Sequence, residues 1–206
     1  MPEDIKIYCG CMERVRHHVS VADTVFAGKI NTGSEELNSE LIFLHLRKAL
    51  EEMAFSSLAA NREKYSAARA QFATDWRAKG MLKHVAKVNP QFWPIPVTGP
   101  QEVAPGNKHF DRVTDGFLTQ DEFVVLYDAA SVLALHTRNP YASADDAVDL
   151  KYSVDGWSAR IKALLSLHCV KLVDVHGLWV VRVGNGGPVE ALTAVTDGDF
   201  VVEPAQ

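Results

Sequence analysis

Residues 157–183 read WSARIKALLSLHCVKLVDVHGLWVVRV, and within them the hydrophobic period changes. Trp157, Ile161, Leu164, Leu165 and His168 recur at helical intervals, which places them on one stripe of a helix running from Trp157 to His168. From Val170 the spacing becomes strand-like: Val170 to Val175 and Leu178 to Val183 are short β-branched runs parted by His176-Gly177. A two-residue turn there sets Val175 opposite Leu178 and Val173 opposite Val180. Trp179, Val181 and Val183, with Leu172, then line the face that packs on the helices. Val189 to Val195 follows the Gly184-Asn185-Gly186-Gly187-Pro188 turn as a third strand, and Phe200-Val201-Val202 reads as a fourth.

Upstream the pattern is helical. After a short strand at Ile5-Lys6-Ile7-Tyr8, a helix is expected from Met12 to Phe26. Ser34 is placed as an N-cap, with Glu35 and Glu36 in the first turn of the next helix, where negative charge suits the macrodipole. From Leu37 to Ala60, Ile42, Leu46, Ala49, Leu50 and Met53 follow helical spacing, while Leu37, Leu41, Leu44, Phe55 and Leu58 carry hydrophobicity around the barrel, the mark of a central helix. A third helical stretch, Arg62 to Val88, carries Tyr65, Phe72, Trp76 and Leu82 and stops at Asn89-Pro90. Residues 89–117 hold Pro90, Pro94, Pro96, Pro100 and Pro105 and read as a long proline-rich loop. Thr119-Gln120-Asp121-Glu122 is a capping box that opens a helix to His136, which Asn139-Pro140 closes; Ser143 to Asp146 starts a short further helix.

The fold class expected is α+β: a mainly helical bundle with a C-terminal antiparallel β-meander of three or four strands. A single domain over 1–206 is expected, with a helical body at 9–168 and the meander at 169–206 packed on it. With 206 residues, 47% hydrophobic and 23% charged, the chain has ordinary globular composition. A formal charge of −5 supplies no global attraction for nucleic acid or anionic lipid, so such binding must be local. Neither a signal-peptide pattern nor a bilayer-length apolar run is visible, and three cysteines are too few for a disulfide framework; a cytoplasmic, membrane-free protein is expected.

Candidate chemistry is dispersed. Cys9-Gly10-Cys11 with His17-His18 gathers zinc-type donors, but the cysteines are too close in sequence and lack a second pair, so ordinary thiols and no metal are expected. No cofactor fingerprint is present either: there is no phosphate loop, dinucleotide glycine motif or nucleophile elbow. Glu40, Leu44, Arg47 and Glu51 fall near one helical line, which sets Arg47 between two carboxylates as a structural ion pair or a functional cation. His136 ends its helix beside Arg138; capping by the macrodipole explains it, and so does an accessible imidazole–guanidinium site. His168 reads as a satisfied core histidine.

The segment Leu44-His45-Leu46-Arg47-Lys48-Ala49-Leu50-Glu51, together with the later Leu135-His136-Thr137-Arg138-Asn139-Pro140, resembles bacterial HEPN-type helical proteins over the helical part of the chain up to Leu167. That resemblance implies a helix bundle, a homodimer and, as in many such proteins, a toxin or phage-defence ribonuclease. The family's diagnostic arginine and histidine, with four to six residues between them, is matched here only by Arg77 and His84, with Ala78 where a polar residue is preferred. Metal-free RNA cleavage needs a base for the 2′-hydroxyl and a cation for the developing phosphorane charge. His136, Arg138 and Arg47 are the catalytic candidates for those tasks. The alternative is a non-catalytic interaction or regulatory subunit that holds a protein partner through Phe92, Trp93 and the proline loop or through the meander edge, with Glu51 as a further binding residue; a cover over the helical core is an equal reading of Phe92 and Trp93. A winged-helix reading of the Trp157 helix and the following hairpin is disfavoured, because Arg160 and Lys162 are the cations it offers.

Overall fold

A computed structural model describes residues 2–68, 78–135, 150–173, 177–184 and 186–195. The expected features at Phe72, Trp76, Arg77, His136 to Asp146, Val175, His176 and Phe200 to Val202 lie outside these residues. The described elements are α1 (Glu3–Phe26), α2 (Glu35–Ala60), α3 (Arg62–Ala68), α4 (Ala78–Val88), β1 (Ile95–Ala104), β2 (Asn107–Arg112), α5 (Gln120–Leu135), α6 (Val154–Leu165), β3 (Leu167–Lys171), β4 (Gly177–Arg182) and β5 (Glu190–Val195). The protein is α+β, with an antiparallel sheet in its C-terminal half ordered β2-β1-β3-β4-β5.

The expected short strand at Ile5 to Tyr8 is instead the first turn of α1. Ile5, Tyr8, Met12, Val15, Val19 and Ala22 are all buried and recur at alternating intervals of three and four, so a four-residue window that mimics strand alternation belongs to a long helical stripe. Ser34 caps α2, accepting from the Leu37 N–H at 3.3 Å. The α1–α2 pair is antiparallel: Arg14 meets Glu52 at 2.7 Å, and Asp4 near the start of α1 meets Arg62 at 2.6 Å, at the start of α3 just beyond the end of α2. Leu46, Ala49, Leu50, Met53 and Ala54 of α2 are buried between neighbours on more than one side.

Residues 89–117 differ most from expectation, because the proline-rich stretch contains β1 and β2. Ile95, Pro96 and Val97 enter the sheet between β2 and β3, while Thr98 to Ala104 pair only with β2 as an exposed two-stranded arm. Gly99 sits where the β1–β2 register shifts, with φ at 107° and the His109 carbonyl only 3.1 Å from where a Cβ would stand. The β1–β2 ladder is irregular between Thr98 and Gln101 and again between Glu102 and Ala104, so Pro100 falls at a break in it.

The sheet register also departs from the sequence reading. Helix α6 ends at Leu165, β3 begins at Leu167, and Lys171 pairs with Leu178 while Cys169 pairs with Val180. The connection is therefore longer than two residues, and His168 belongs to a strand. Alternation along β3, β4 and β5 puts His168, Val170, Trp179 and Val181 on the face toward the helices, and Leu167, Cys169, Leu178 and Val180 on the other. The second face has its own apolar cluster, where Ile95 and Val97 join Cys169 and Val180 and Phe110 packs from β2.

The joint between helices and sheet is polar. His168 is fully buried; its Nδ1 donates to the Leu165 carbonyl at 3.0 Å and its Nε2 accepts from the Tyr8 hydroxyl at 2.7 Å. Trp179 meets the Tyr8 ring edge-on at 5.7 Å. Burial lowers the His168 pKa from 6.5 to about 4, outweighing the carbonyl that favours the proton. The unfolded chain takes up a proton near pH 6.5 and the folded chain does not, so this stabilisation is complete above pH 6.5, declines as pH falls and levels off below about 4. Between pH 7 and 4 the protein is expected to lose about 3 kcal/mol more stability than His168→Gln, measured by urea unfolding. Parallel pH profiles for the two proteins would contradict the assignment.

Candidate functional site

Arg47 projects from α2 toward α5. Its Nη2 donates to the Tyr127 hydroxyl at 2.8 Å and lies 3.1 Å from Glu51 Oε1, and its Nη1 donates to Ser131 Oγ. The guanidinium carbon stands 4.4 Å from the centre of the Tyr127 ring, a cation–π contact. Tyr127 in turn donates to Glu51 over 3.4 Å. The second carboxylate expected beside Arg47, Glu40, is exposed on α2, and α5 supplies the partners instead. Only 14% of the Arg47 side chain and 27% of the Glu51 side chain reach solvent. Burial raises the Tyr127 pKa and Glu51 adds to it, against the pull of Arg47, so the phenol keeps its proton at neutral pH.

From this cluster an aromatic series runs inward. Tyr127 stacks on Phe123 with centroids 6.0 Å apart and planes 5° from parallel; Trp93 meets Phe123 edge-on at 5.7 Å, and Phe92 meets Trp93 at 6.0 Å. Arg47, Glu51, Phe92 and Trp93, dispersed in the sequence, thus belong to one connected group. Phe123 and Tyr127 join them, four residues apart on one face of α5. Phe92 is 1% exposed and Trp93 half-buried, so of the two placements open from sequence, anchor or cover, they take the cover over the helical core. Trp93 Nε1 is buried with no acceptor among the described residues. His136 and Arg138 lie outside the described residues; α5 is described to Leu135, the residue before His136.

The start of α5 is fixed by the capping box. Glu122 N–H donates to Thr119 Oγ1 and Thr119 N–H to Glu122 Oε2, both at 3.2 Å. The same buried carboxylate accepts from Lys151 (2.8 Å), Tyr152 (2.9 Å) and Arg160 (2.7 Å). Burial would raise its pKa, but these donors together outweigh it and hold the carboxyl at about 2. Glu122 therefore positions α5, and with it Tyr127 and Ser131, relative to α6.

Two other groups bear on chemistry. Cys9, Cys11 and Cys169 are free and buried; burial pushes Cys11 up to about 12 and Cys169 up to about 11, so these are inert thiols at neutral pH. Separately, His18 on α1 and His45 on α2 bring their Nδ1 atoms to 3.0 Å across the helix pair, with the His17 ring 5.5 Å from that of His18. Nothing in the local sequence around His45 marks it as a site residue. The signal that finds it is the antiparallel pairing: Arg14 faces Glu52, so four residues further along α1 His18 faces the turn of α2 that contains His45.

No family model, curated protein or solved structure matches the chain. No helix among the described residues is long and apolar enough to cross a membrane.

Two substitutions test whether the Arg47 cluster fastens α5 to α2. Tyr127→Phe keeps the ring stack and removes the hydroxyl, and is expected to cost about 1 kcal/mol in urea unfolding. Arg47→Ala also strips the cation from Tyr127 and Glu51 and is expected to cost about 2–3 kcal/mol. If both stay within about 0.5 kcal/mol of wild type, the cluster has no structural role.

Proposed function

We propose that the protein is an RNA-directed helical protein of HEPN-like type, acting in a toxin or phage-defence role, with its site at the α2–α5 seam around Arg47. The observation that carries this reading is the held guanidinium. Arg47 is fastened by Tyr127, Ser131 and Glu51 yet keeps an exposed edge, and Ser131 stands five residues before His136 in the sequence. A pre-positioned guanidinium stabilises charge that develops on a phosphorane without reorganising first. In this reading His136 takes the proton of an RNA 2′-hydroxyl as its oxygen attacks phosphorus. The 5′-oxygen leaves with a proton from solvent, and Arg138 adds a second cation. His136 and Arg138 receive these roles from their place in the sequence.

A second reading, in a different class, rests on the outer face of α5. Val124, Val125, Val132 and Leu135 are between 38% and 52% exposed while Phe123, Leu126 and Ala130 of the same helix are buried. A helix that is apolar on both faces is covered on both. The occupant proposed is a second copy of this chain, because one helix stripe can meet its own two-fold mate with the same residues.

The readings separate experimentally. Wild-type protein is expected to cleave single-stranded RNA in the presence of EDTA and leave 2′,3′-cyclic phosphate ends, with His136→Ala and Arg138→Ala at least 100-fold slower and unchanged in circular dichroism. Absence of cleavage by the wild type, or full activity in both variants, would refute the ribonuclease reading. For the α5 face, light scattering at tens of micromolar should give a dimer mass that Val125→Glu with Val132→Glu converts to monomer. A monomeric wild type overturns that proposal.

A further inference from the structure

The α1–α2 helix pair carries a group that neither the RNA reading nor the α5 face uses. His18 and His45 meet in the seam between the helices, both half-buried, with Nδ1 atoms 3.0 Å apart and ring centres 5.1 Å apart at 55°. Each ring is anchored on a separate long helix, and the Arg14–Glu52 ion pair at 2.7 Å fixes the helices to each other one turn away. The helix pair holds the two rings within reach of each other, and their 3.0 Å separation is that of an N–H···N hydrogen bond.

We propose that His18 and His45 form a bidentate site for a divalent d-block ion of right-angle cis geometry, Cu(II) or Ni(II), with water completing the coordination. Proximity and donor type carry the proposal: imidazole nitrogens suit copper and nickel, which stand high in the order of divalent affinity. Two imidazole nitrogens at about 2.0–2.1 Å from one ion stand about 2.8–3.0 Å apart when the N–metal–N angle is near 90°, and about 3.3–3.4 Å apart at the tetrahedral angle. The observed 3.0 Å is the hydrogen-bonded separation of the metal-free pair, so an ion can replace the shared proton with little movement of either ring. Among the described residues no three His, Cys, Asp or Glu side chains converge, which leaves the other positions to water.

Protonation favours ligation. Burial lowers the pKa of both rings, and His17 and Lys48 lower both further while Glu52 partly restores His18, so both imidazoles are neutral at pH 7. In the metal-free pair one Nδ1–H donates to the other Nδ1. On binding, the donor ring shifts that proton from Nδ1 to its own Nε2, which leaves two Nδ1 lone pairs for the ion and releases no net proton from neutral rings. Below the pKa of either ring the site loses a ligand, so affinity falls as pH drops. Arg14, His17, Lys48 and Glu52 are the charged and titratable groups around the pair, and Glu52 is the nearby group whose charge suits a cation.

Ni(II) is the probe, since it is not reduced by the cysteine thiols. Isothermal titration of the full chain at pH 7.5 is expected to show one equivalent bound, weakened at least 10-fold in His18→Ala and in His45→Ala and by less than 3-fold in His17→Ala. His45→Gln retains an amide that can pair with His18 and guards against a folding defect; its circular dichroism should match wild type while Ni(II) binding is lost. Absence of stoichiometric binding by the wild type overturns the proposal. So does wild-type affinity in a correctly folded His45→Gln protein.

Discussion

The hydrogen bond between Tyr8 and His168 is the constraint on which the arrangement of helices and sheet depends. It joins the first helix to the first strand of the C-terminal hairpin across 160 residues of sequence, in an environment that water does not reach. A buried phenol and a buried imidazole are each costly without a partner, and here each satisfies the other. Because His168 alternates with Val170 on β3, its fixed orientation also sets which face of the sheet meets the helices. Trp179 and Val181 follow it inward, and Cys169 and Val180 turn outward. A register slip of one residue would turn Trp179 and Val181 away from the helices and Arg182 toward them, so one polar contact and the side-chain pattern specify the same pairing.

Much of this architecture is legible in the residues themselves. The α+β class follows from the change of period between Trp157 and Val183, and both predicted caps, Ser34 and the Thr119–Glu122 box, make their hydrogen bonds. Local chemistry of this kind is decided within four residues. The misreadings have the complementary cause. Ile5 to Tyr8 mimics a strand only while the window is too short to include Met12 and Val15, and β1 is hidden because Pro96 and Pro100 argue against a strand whose irregularity is absorbed at the Gly99 bulge. The hairpin register differs because Gly177, expected in a two-residue turn, belongs to β4 and the connection is longer; the helix–strand boundary is blurred because a stripe ending at His168 and a strand starting at Leu167 share residues.

The candidate site was legible in its residues more than in its connections. Arg47 with Glu51 follows from helical spacing, but the bonds to Tyr127 and Ser131 span about 80 residues and leave no local trace. Among prolines, Phe92 and Trp93 fit an outward anchor and a cover over the core equally well; the structure turns them inward, where Phe123 and Tyr127 extend them into a series that reaches Arg47. The pairing of His18 with His45 leaves no local trace for the same reason: sequence groups His18 with Cys9, Cys11 and His17 on its own helix, while its partner lies 27 residues away on the next.

The Glu122 network has a consequence for the order in which the chain assembles. Its capping partner Thr119 is adjacent, but the cations that offset burial of the carboxylate arrive 29 and 38 residues later, at Lys151 and Arg160. As the chain leaves the ribosome, α5 therefore emerges with an unneutralised acid at its first turn and cannot seat fully against the helices already made. The α1–α2 pair, whose contacts are internal to residues 3–62, needs no such delay. Synthesis of α6 supplies the missing charge and then, within ten residues, the histidine that Tyr8 has been without. Closure of the whole molecule is thereby deferred to the last quarter of translation, a dependence on sequence-distant contacts that slows folding and makes truncated chains open at both seams.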